Sequence, residues 1–128
     1  MRPEVELFIA LIESRPFERE RIRQSLQSAL SLRVVTYSTT SELEHHFRDT
    51  TPQVVVLSVS EVDEASTALR LLSELVPNAP IVVLAQTDDD VNLARTVMRH
   101  GAKGFIPYTM DFTIAVEAVR FVLAAPSR

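Results

Sequence analysis

Short apolar runs alternate with amphipathic helical patterns along the whole chain, and this alternation constrains the fold more than any other feature. The runs that predict strands span residues 5–12, 32–37, 54–57, 81–85 and 103–107. Most of them have few polar interruptions, which is typical of strands buried on both faces of a sheet. Such strands need a layer of helices on each side, so the pattern predicts a parallel sheet within an α/β domain.

The segments between the runs predict five helices. Apolar residues recur at helical spacing in each: Phe17, Ile22, Leu26 and Leu30; Leu43 and Phe47; Ala65, Ala68, Leu71, Leu72 and Leu75; Val91, Ala94 and Met98; Ile114, Val116, Val119 and Val122. Pro16 suits the first turn of the first helix, and the hydroxyls of residues 39–41 suit the cap of the second. The acids at 88–90 favour the start of the fourth helix, which Gly101 can end in a left-handed conformation.

Five strands alternating with five helices predict one (βα)5 domain. With right-handed crossovers, the simplest arrangement is a doubly wound, three-layer sandwich around a five-stranded parallel sheet of flavodoxin-like order 2-1-3-4-5. We expect this domain to span residues 1–125, with residues 126–128 beginning a linker or ending the chain. A working site would lie outside the carboxyl ends of the strands, at the switch between strands 1 and 3.

The composition excludes several classes of site. The chain of 128 residues contains no Cys, so disulfides, thiolate zinc sites, iron–sulfur clusters and cysteine nucleophiles are absent. Its two glycines, Gly101 and Gly104, are too few for a phosphate-binding loop or a dinucleotide fingerprint. The net charge of −4, with basic residues scattered among acids, argues against a nucleic-acid surface.

The sequence also lacks membrane and export signals. No apolar run approaches the roughly 18–20 residues that a transmembrane helix needs, and no N-terminal stretch has the order of a signal peptide. We therefore expect a cytoplasmic domain that does not contact a membrane.

Three segments resemble a known family, the response-regulator receiver domains of two-component signalling. They are residues 52–60 (PQVVVLSVS), 80–85 (PIVVLA) and, most of all, 101–107 (GAKGFIP). The resemblance covers nearly the whole chain. Residues 101–107 and 15–17 (RPF) are similar to the receivers that precede a helix-turn-helix output domain.

The resemblance implies a phosphorylation pocket, but this chain departs from it at almost every position. In the family, two acids after strand 1 and an Asp ending strand 3 hold Mg²⁺, that Asp accepts a phosphoryl group, and a Ser/Thr and a Lys end strands 4 and 5. These positions fall here on Glu13 and Ser14, Ser58, Ala85 and Tyr108. A neutral serine hydroxyl is a poor acceptor without a general base, and a tyrosine carries no positive charge near pH 7. Phe105 matches the family's switch aromatic.

These departures predict a degenerate pseudo-receiver that is not an enzyme. We expect no catalytic residue, no cofactor, weak or absent Mg²⁺ binding, and a phosphorylation-independent role as a protein-interaction or dimerisation module in signal transduction or transcription regulation. The resemblance implies contact through helix 4, strand 5 and helix 5, where mixed charges suit a two-fold contact: Arg95, Arg99, Lys103, Asp111, Glu117 and Arg120. Nucleic-acid binding would belong to a domain after Arg128, not to this one.

Two other functions stay open. In the first, the pocket is a small-molecule sensor that binds a metabolite between residues of its rim: Glu13, Arg15, Ser58, Gln86 and Tyr108. In the second, Glu61, Asp63 or Glu64 replaces the missing phosphoacceptor. All three acids follow strand 3, where a loop or the first turn of a helix favours acids in any case.

Overall fold

In a computed structural model, the protein is described over residues 7–46, 51–86, 91–107 and 112–124. Five strands and five helices alternate in these ranges: β1 Phe8–Ile12, α1 Pro16–Leu30, β2 Arg33–Tyr37, α2 Thr40–His46, β3 Val54–Val59, α3 Val62–Leu75, β4 Ile81–Ala85, α4 Val91–Arg99, β5 Gly104–Pro107 and α5 Thr113–Ala124. Phe47, the acids at 88–90 and the predicted boundary after residue 125 lie outside the described residues. None of the helices in the described ranges has the length and apolar character to cross a membrane.

The strands form one parallel sheet in the order β2-β1-β3-β4-β5, which confirms the predicted flavodoxin-like topology. The chain order reverses between β1 and β3, where Ile12 lies beside Leu57. Both strands are buried along their whole length. Their carboxyl ends therefore meet in the middle of one edge of the sheet, where the following loops converge.

The core consists of two apolar clusters, one on each face of the sheet. On one face, α2, α3 and α4 contribute Leu43, Leu69, Leu72, Leu93 and Val97. On the other face, α1 and α5 contribute Ile22, Leu26, Ala115, Val116 and Val119. The sheet therefore lies between two helical layers, and this is why its strands read as almost continuous apolar runs.

The prediction of which helix faces are buried was partly wrong. We expected α4 to present Val91 and Met98 together with Ala94, but the residues that α4 buries are Leu93 and Val97. Val91 is 65% exposed and Met98 is 50% exposed. The helix carries more apolar side chains than one face can place against the sheet, so spacing alone does not show which stripe is buried. Phe17 and Ile114 also match the helical spacing of their helices, but both are exposed.

Helix ends follow the expected chemistry. The Oγ1 of Thr39 accepts a hydrogen bond from the backbone N–H of Glu42 (3.2 Å), and the Glu42 carboxylate accepts one from the Ser38 N–H (3.3 Å). Thr39 thus caps the N-terminus of α2 through its side chain, and Glu42 binds the backbone one residue before this cap. Gly101 has φ of 96°, as predicted for the end of α4, and Ser31 adopts φ of 55° at the end of α1, which the sequence did not suggest.

We predict that Gly101→Ala lowers the free energy of unfolding by about 1–2 kcal/mol, because an L-residue is strained in the left-handed region. No atom lies within 4 Å of the added Cβ, so the loss would come from the backbone alone. Urea unfolding measures it. Gly104→Ala is the matched control, because its Cβ would meet only Val82 methyl groups at 3.6 and 3.8 Å. Equal losses in the two variants would contradict the prediction.

Candidate functional site

The polar residues that end the central strands lie together at the carboxyl edge of the sheet. The loop after β1 contributes Glu13 and Arg15, β3 contributes Ser58 near its end, and Gln86 follows β4. The loop after β4 is fixed by the Gln86 N–H, which donates to the Val59 carbonyl (2.8 Å). The structure thus brings together several residues that the sequence predicted for the degenerate pocket.

Glu13 is the charged centre of this edge. It is 0% exposed, and its backbone N–H donates to the Tyr37 carbonyl at 3.0 Å. The Arg15 guanidinium binds both carboxylate oxygens, with Nη2 3.0 Å from Oε1 and Nε 3.2 Å from Oε2. The Arg15 backbone N–H also donates to Oε2 (3.0 Å). The buried carboxylate is therefore held in a bidentate ion pair by a residue only two positions away.

The local sequence explains this geometry. Arg15 immediately precedes Pro16, and a residue before proline is confined to extended conformations. Its φ of −86° and ψ of 114° are extended, and α1 begins at the next residue. The chain therefore turns sharply into α1 after β1, which places both the N–H and the guanidinium of Arg15 against Glu13.

The ion pair fixes the charge of both groups. Burial acts to raise the pKa of Glu13, but hydrogen bonds from the Arg15 side chain, the Arg15 backbone and Ser58, together with the Arg15 charge, hold that pKa below its ordinary value. The pKa of Arg15 is raised by its hydrogen bond to Glu13. The pocket thus holds one permanent negative and one permanent positive charge at neutral pH.

A second arginine ties the pocket to the neighbouring loop. Nη1 of Arg19 donates to the Glu13 carbonyl oxygen (3.0 Å) and to Oγ of Ser38 (2.9 Å). Arg19 therefore joins the loop after β1 to the loop after β2. This contact could not be predicted from the sequence, because a helical arginine among acids at 18–21 is equally typical of a solvated surface.

Ser58 occupies the position where the resemblance requires an aspartate. It is 7% exposed, and its Oγ accepts a hydrogen bond from Nε2 of Gln86 (3.2 Å). Ser58 also contributes to the lowered pKa of Glu13, so the nearly buried hydroxyl lies between the loop after β4 and the edge that holds Glu13. The sequence suggested Gln86 only as part of a ligand rim, not as a partner of Ser58.

The other predicted pocket positions have different surroundings. Ser14 is exposed, whereas Ala85 is buried in the core. Phe105 is half-buried and packs against the cluster on the α2–α4 face. Tyr108 lies outside the described residues, so its predicted place in the pocket stays a prediction.

The alternative acceptors lie at the start of α3. Glu61 is the residue before the helix, its side chain makes no capping hydrogen bond, and Asp63 is in the first turn. Both are exposed. Glu64, the third possible acceptor, accepts hydrogen bonds from the N–H (2.6 Å) and the hydroxyl (3.1 Å) of Ser60. The acids thus stand where the first helical turn favours negative charge.

The described residues among those predicted for a dimer face lie on two different parts of the surface. Arg95, Arg99 and Lys103 are exposed on α4 and just before β5. Glu117 and Arg120 form an ion pair (3.6 Å) and line a groove between α1 and α5, where Arg120 donates to the Ala29 carbonyl (3.2 Å). These two residues therefore face α1 rather than α4. Asp111 lies outside the described residues.

The chain is similar to known proteins in its structure, whereas comparison by sequence found no match. No protein-family model matches the chain, and no curated protein matches it. The fold is nevertheless that of solved response-regulator receiver domains.

Three solved structures illustrate the similarity. A LuxR family DNA-binding response regulator from Silicibacter pomeroyi is 24% identical, with a TM-score of 0.78 and 91% of each chain covered. A LuxR family two-component response regulator from Aurantimonas sp. SI85-9A1 is also 24% identical, with a TM-score of 0.79, covering 91% of this chain and 84% of that one. The non-phosphorylated HemR receiver domain from Leptospira biflexa is 21% identical, with a TM-score of 0.76, covering 93% and 95%. At these identities the comparison establishes the fold.

We predict that the stability contributed by Glu13 depends on pH. Because the pKa of Glu13 is lower in the folded protein than its ordinary value of about 4.3, the contribution is present above that pH and is lost as the pH falls through the folded pKa. Glu13→Gln should lower the free energy of unfolding by about 1–3 kcal/mol at pH 7, since buried donors lose a charged partner. The difference from the unsubstituted protein should shrink in urea unfolding below about pH 4.

Glu20→Gln is the control for this prediction. Glu20 pairs with Arg23 on the exposed side of α1, where solvent weakens an ion pair. Its effect should therefore be smaller than that of Glu13→Gln at every pH. A difference between Glu13→Gln and the unsubstituted protein that stays constant or grows on acidification would contradict the assignment.

Proposed function

We propose that this chain is an atypical response-regulator receiver domain that regulates by protein contact and is not phosphorylated. It would act in two-component signal transduction or transcription regulation without catalysing a reaction. The receiver fold supports the signalling class, and the neighbours from Silicibacter pomeroyi and Aurantimonas sp. are described as LuxR family response regulators. The Glu13–Arg15 ion pair carries the phosphorylation-independent part of the proposal.

A magnesium ion does not fit this pocket. Mg²⁺ is bound in proteins through carboxylate oxygens, usually with several waters and substrate phosphates. Here the family's two other acid positions are Ser14 and Ser58, and the one carboxylate, Glu13, binds Arg15 through both oxygens. Within the described ranges, no group of three potential metal ligands is present. The guanidinium supplies internally the positive charge that a metal supplies in the family.

Ser58 is also unsuited to accept a phosphoryl group. Its hydroxyl oxygen accepts a hydrogen bond from Gln86, and a transferred phosphoryl would bring negative charge beside the Glu13 carboxylate. Stabilising such a transfer needs cations around the equatorial oxygens. Arg15 is committed to Glu13, and Ala85 cannot donate a hydrogen bond from the end of β4.

The surface around β5 supports a role in protein contact. The helices α4 and α5 pack on opposite faces of the sheet, and both contact β5, the edge strand. They expose large apolar side chains: Val91 and Met98 on α4, and Ile114 and Phe121 on α5. The exposed cations Arg95, Arg99 and Lys103 lie on α4 or between α4 and β5.

We assign this surface to contact between two copies of the chain. Apolar side chains bordered by charged ones are typical of such interfaces. The Glu117–Arg120 pair would lie at the margin of this contact or outside it, because both residues face α1. An output domain that binds DNA would be a separate part of the protein.

We predict that acetyl phosphate or beryllofluoride with Mg²⁺ leaves the purified domain unchanged. Glu13 is the only carboxylate at the three positions that bind Mg²⁺ in the family, and Arg15 binds it, so the described part of the pocket lacks the charges that phosphoryl transfer requires. Intact-mass spectrometry and Mg²⁺ titration monitored by NMR measure this outcome. A phosphoryl mass gain that is lost in Ser58→Ala, Glu61→Gln or Asp63→Asn would overturn the phosphorylation-independent role.

We also predict that the protein self-associates through the α4–β5–α5 surface. Sedimentation should show a concentration-dependent dimer, and Phe121→Ser should raise its Kd at least about fivefold, as loss of a buried aromatic anchor does. Phe17→Ser on α1 is the matched control, since Phe17 is 73% exposed and Phe121 is 77% exposed. A strict monomer at high concentration, or equal effects of the two variants, would refute this interface.

A further inference from the structure

A cavity of about 500 Å³ opens at the carboxyl edge of the sheet and is lined by Ser58 but not by Glu13 or Gln86. Its walls are the end of β1 with Ser14 after it, the loop after β2 with the start of α2, the end of β3, and α3 from Asp63 to Leu71. The volume is within the range of small-molecule sites. The position is the switch point between β1 and β3, where doubly wound sheets hold ligands.

The described residues that line the cavity are partly apolar and partly polar, and the charged ones among them are acidic. Ile12, Leu57 and Leu71, with Val59 and Ala68, supply an apolar part. Seven residues with hydroxyl groups surround it, four of them consecutive at 38–41, and the two charged residues are Asp63 and Glu64. Among the described residues that line the cavity, none is Lys, Arg or His. Charge therefore favours a cationic ligand and disfavours an anionic one.

The arginines nearby do not change this balance. Arg15 is committed to Glu13 by two hydrogen bonds from its guanidinium. Nη1 of Arg19 reaches Ser38 at the rim, but the same nitrogen also donates to the Glu13 carbonyl. Neither residue lines the cavity. A phosphate or carboxylate placed there would face Asp63 and Glu64 without a lining cation.

We propose that this cavity binds a small organic amine with an apolar body and at least one hydroxyl group. The ammonium group would lie near Asp63 and Glu64, the apolar body against Ile12, Leu57 and Leu71, and the hydroxyl among the serines and threonines. Ser58 joins the cavity to the rest of the edge, since its Oγ also accepts a hydrogen bond from Gln86, which does not line the cavity. The ligand would therefore contact the residue that stands at the family's acceptor position.

Three probes of matched shape test the ligand class by ¹⁵N–¹H NMR titration of the whole chain. Tyramine carries a phenol and an ammonium group, 4-hydroxyphenylacetate replaces the ammonium with a carboxylate, and 2-(4-hydroxyphenyl)ethanol is uncharged. We expect saturable shifts of cavity amides with tyramine. We expect a Kd up to about fivefold weaker for the uncharged alcohol, because an exposed charge pair contributes up to about that factor, and a still weaker Kd for the carboxylate, which Asp63 and Glu64 repel.

Paired variants test the location. Thr67→Trp fills the cavity from the exposed side of α3 and should abolish the tyramine shifts, whereas Ser73→Trp, on the same helix outside the cavity, should not. Asp63→Asn should weaken tyramine about three- to fivefold, and Glu61→Gln, which does not line the cavity, should leave it unchanged. If Thr67→Trp fails to fold, Ser41→Trp fills the cavity from its opposite wall.

The proposal is overturned if no probe gives saturable cavity shifts, if the carboxylate binds as well as the amine, or if tyramine binding persists when the cavity is filled. None of these results bears on the interaction role, which mass spectrometry and sedimentation test separately. If the domain proved to be phosphorylated, the proposed function would fail, but saturable tyramine shifts would still show that the cavity binds the amine.

Discussion

The carboxyl edge of the sheet depends on one buried charge and its neutralisation. A carboxylate removed from water is costly unless it is paired and hydrogen-bonded, and Glu13 has both from Arg15. The surrounding polar groups follow from this pair. Arg19 donates hydrogen bonds to the carbonyl of Glu13 and to Ser38 in the loop after β2. Ser58, which contributes to the lowered pKa of Glu13, accepts a hydrogen bond from Gln86. The edge is therefore one connected network, not a set of independent surface residues.

The fold was predictable because strands buried on both faces leave a clear signal. The apolar runs placed all five strands, and the strand order followed from short right-handed crossovers. The buried faces of the helices were less predictable, as α4 shows: Val91 and Leu93 are both apolar, and only packing decides that Leu93 is buried. Sequence spacing reports which residues share a stripe but not which of two stripes meets the sheet.

The site was predictable only in part, for a related reason. Glu13 and Ser58 were expected together because parallel strands end at one edge. Arg15 and Gln86 were expected at the same rim but not as direct partners of these two residues, since the role of Arg15 depends on the backbone turn before Pro16 and that of Gln86 on a loop conformation. The fold is thus similar to that of receiver domains, whereas function depends on the particular residues of the site and does not follow from the fold.

A positive charge carried by a side chain of the protein differs from that of a metal ion bound from solution. The Arg15 guanidinium cannot be chelated, diluted or exchanged for a competing ion, and it arrives with its carboxylate in the same three-residue stretch of chain. Both charges of the Glu13–Arg15 pair are thus in place once the domain has folded, and neither of them depends on an ion taken up from the surroundings.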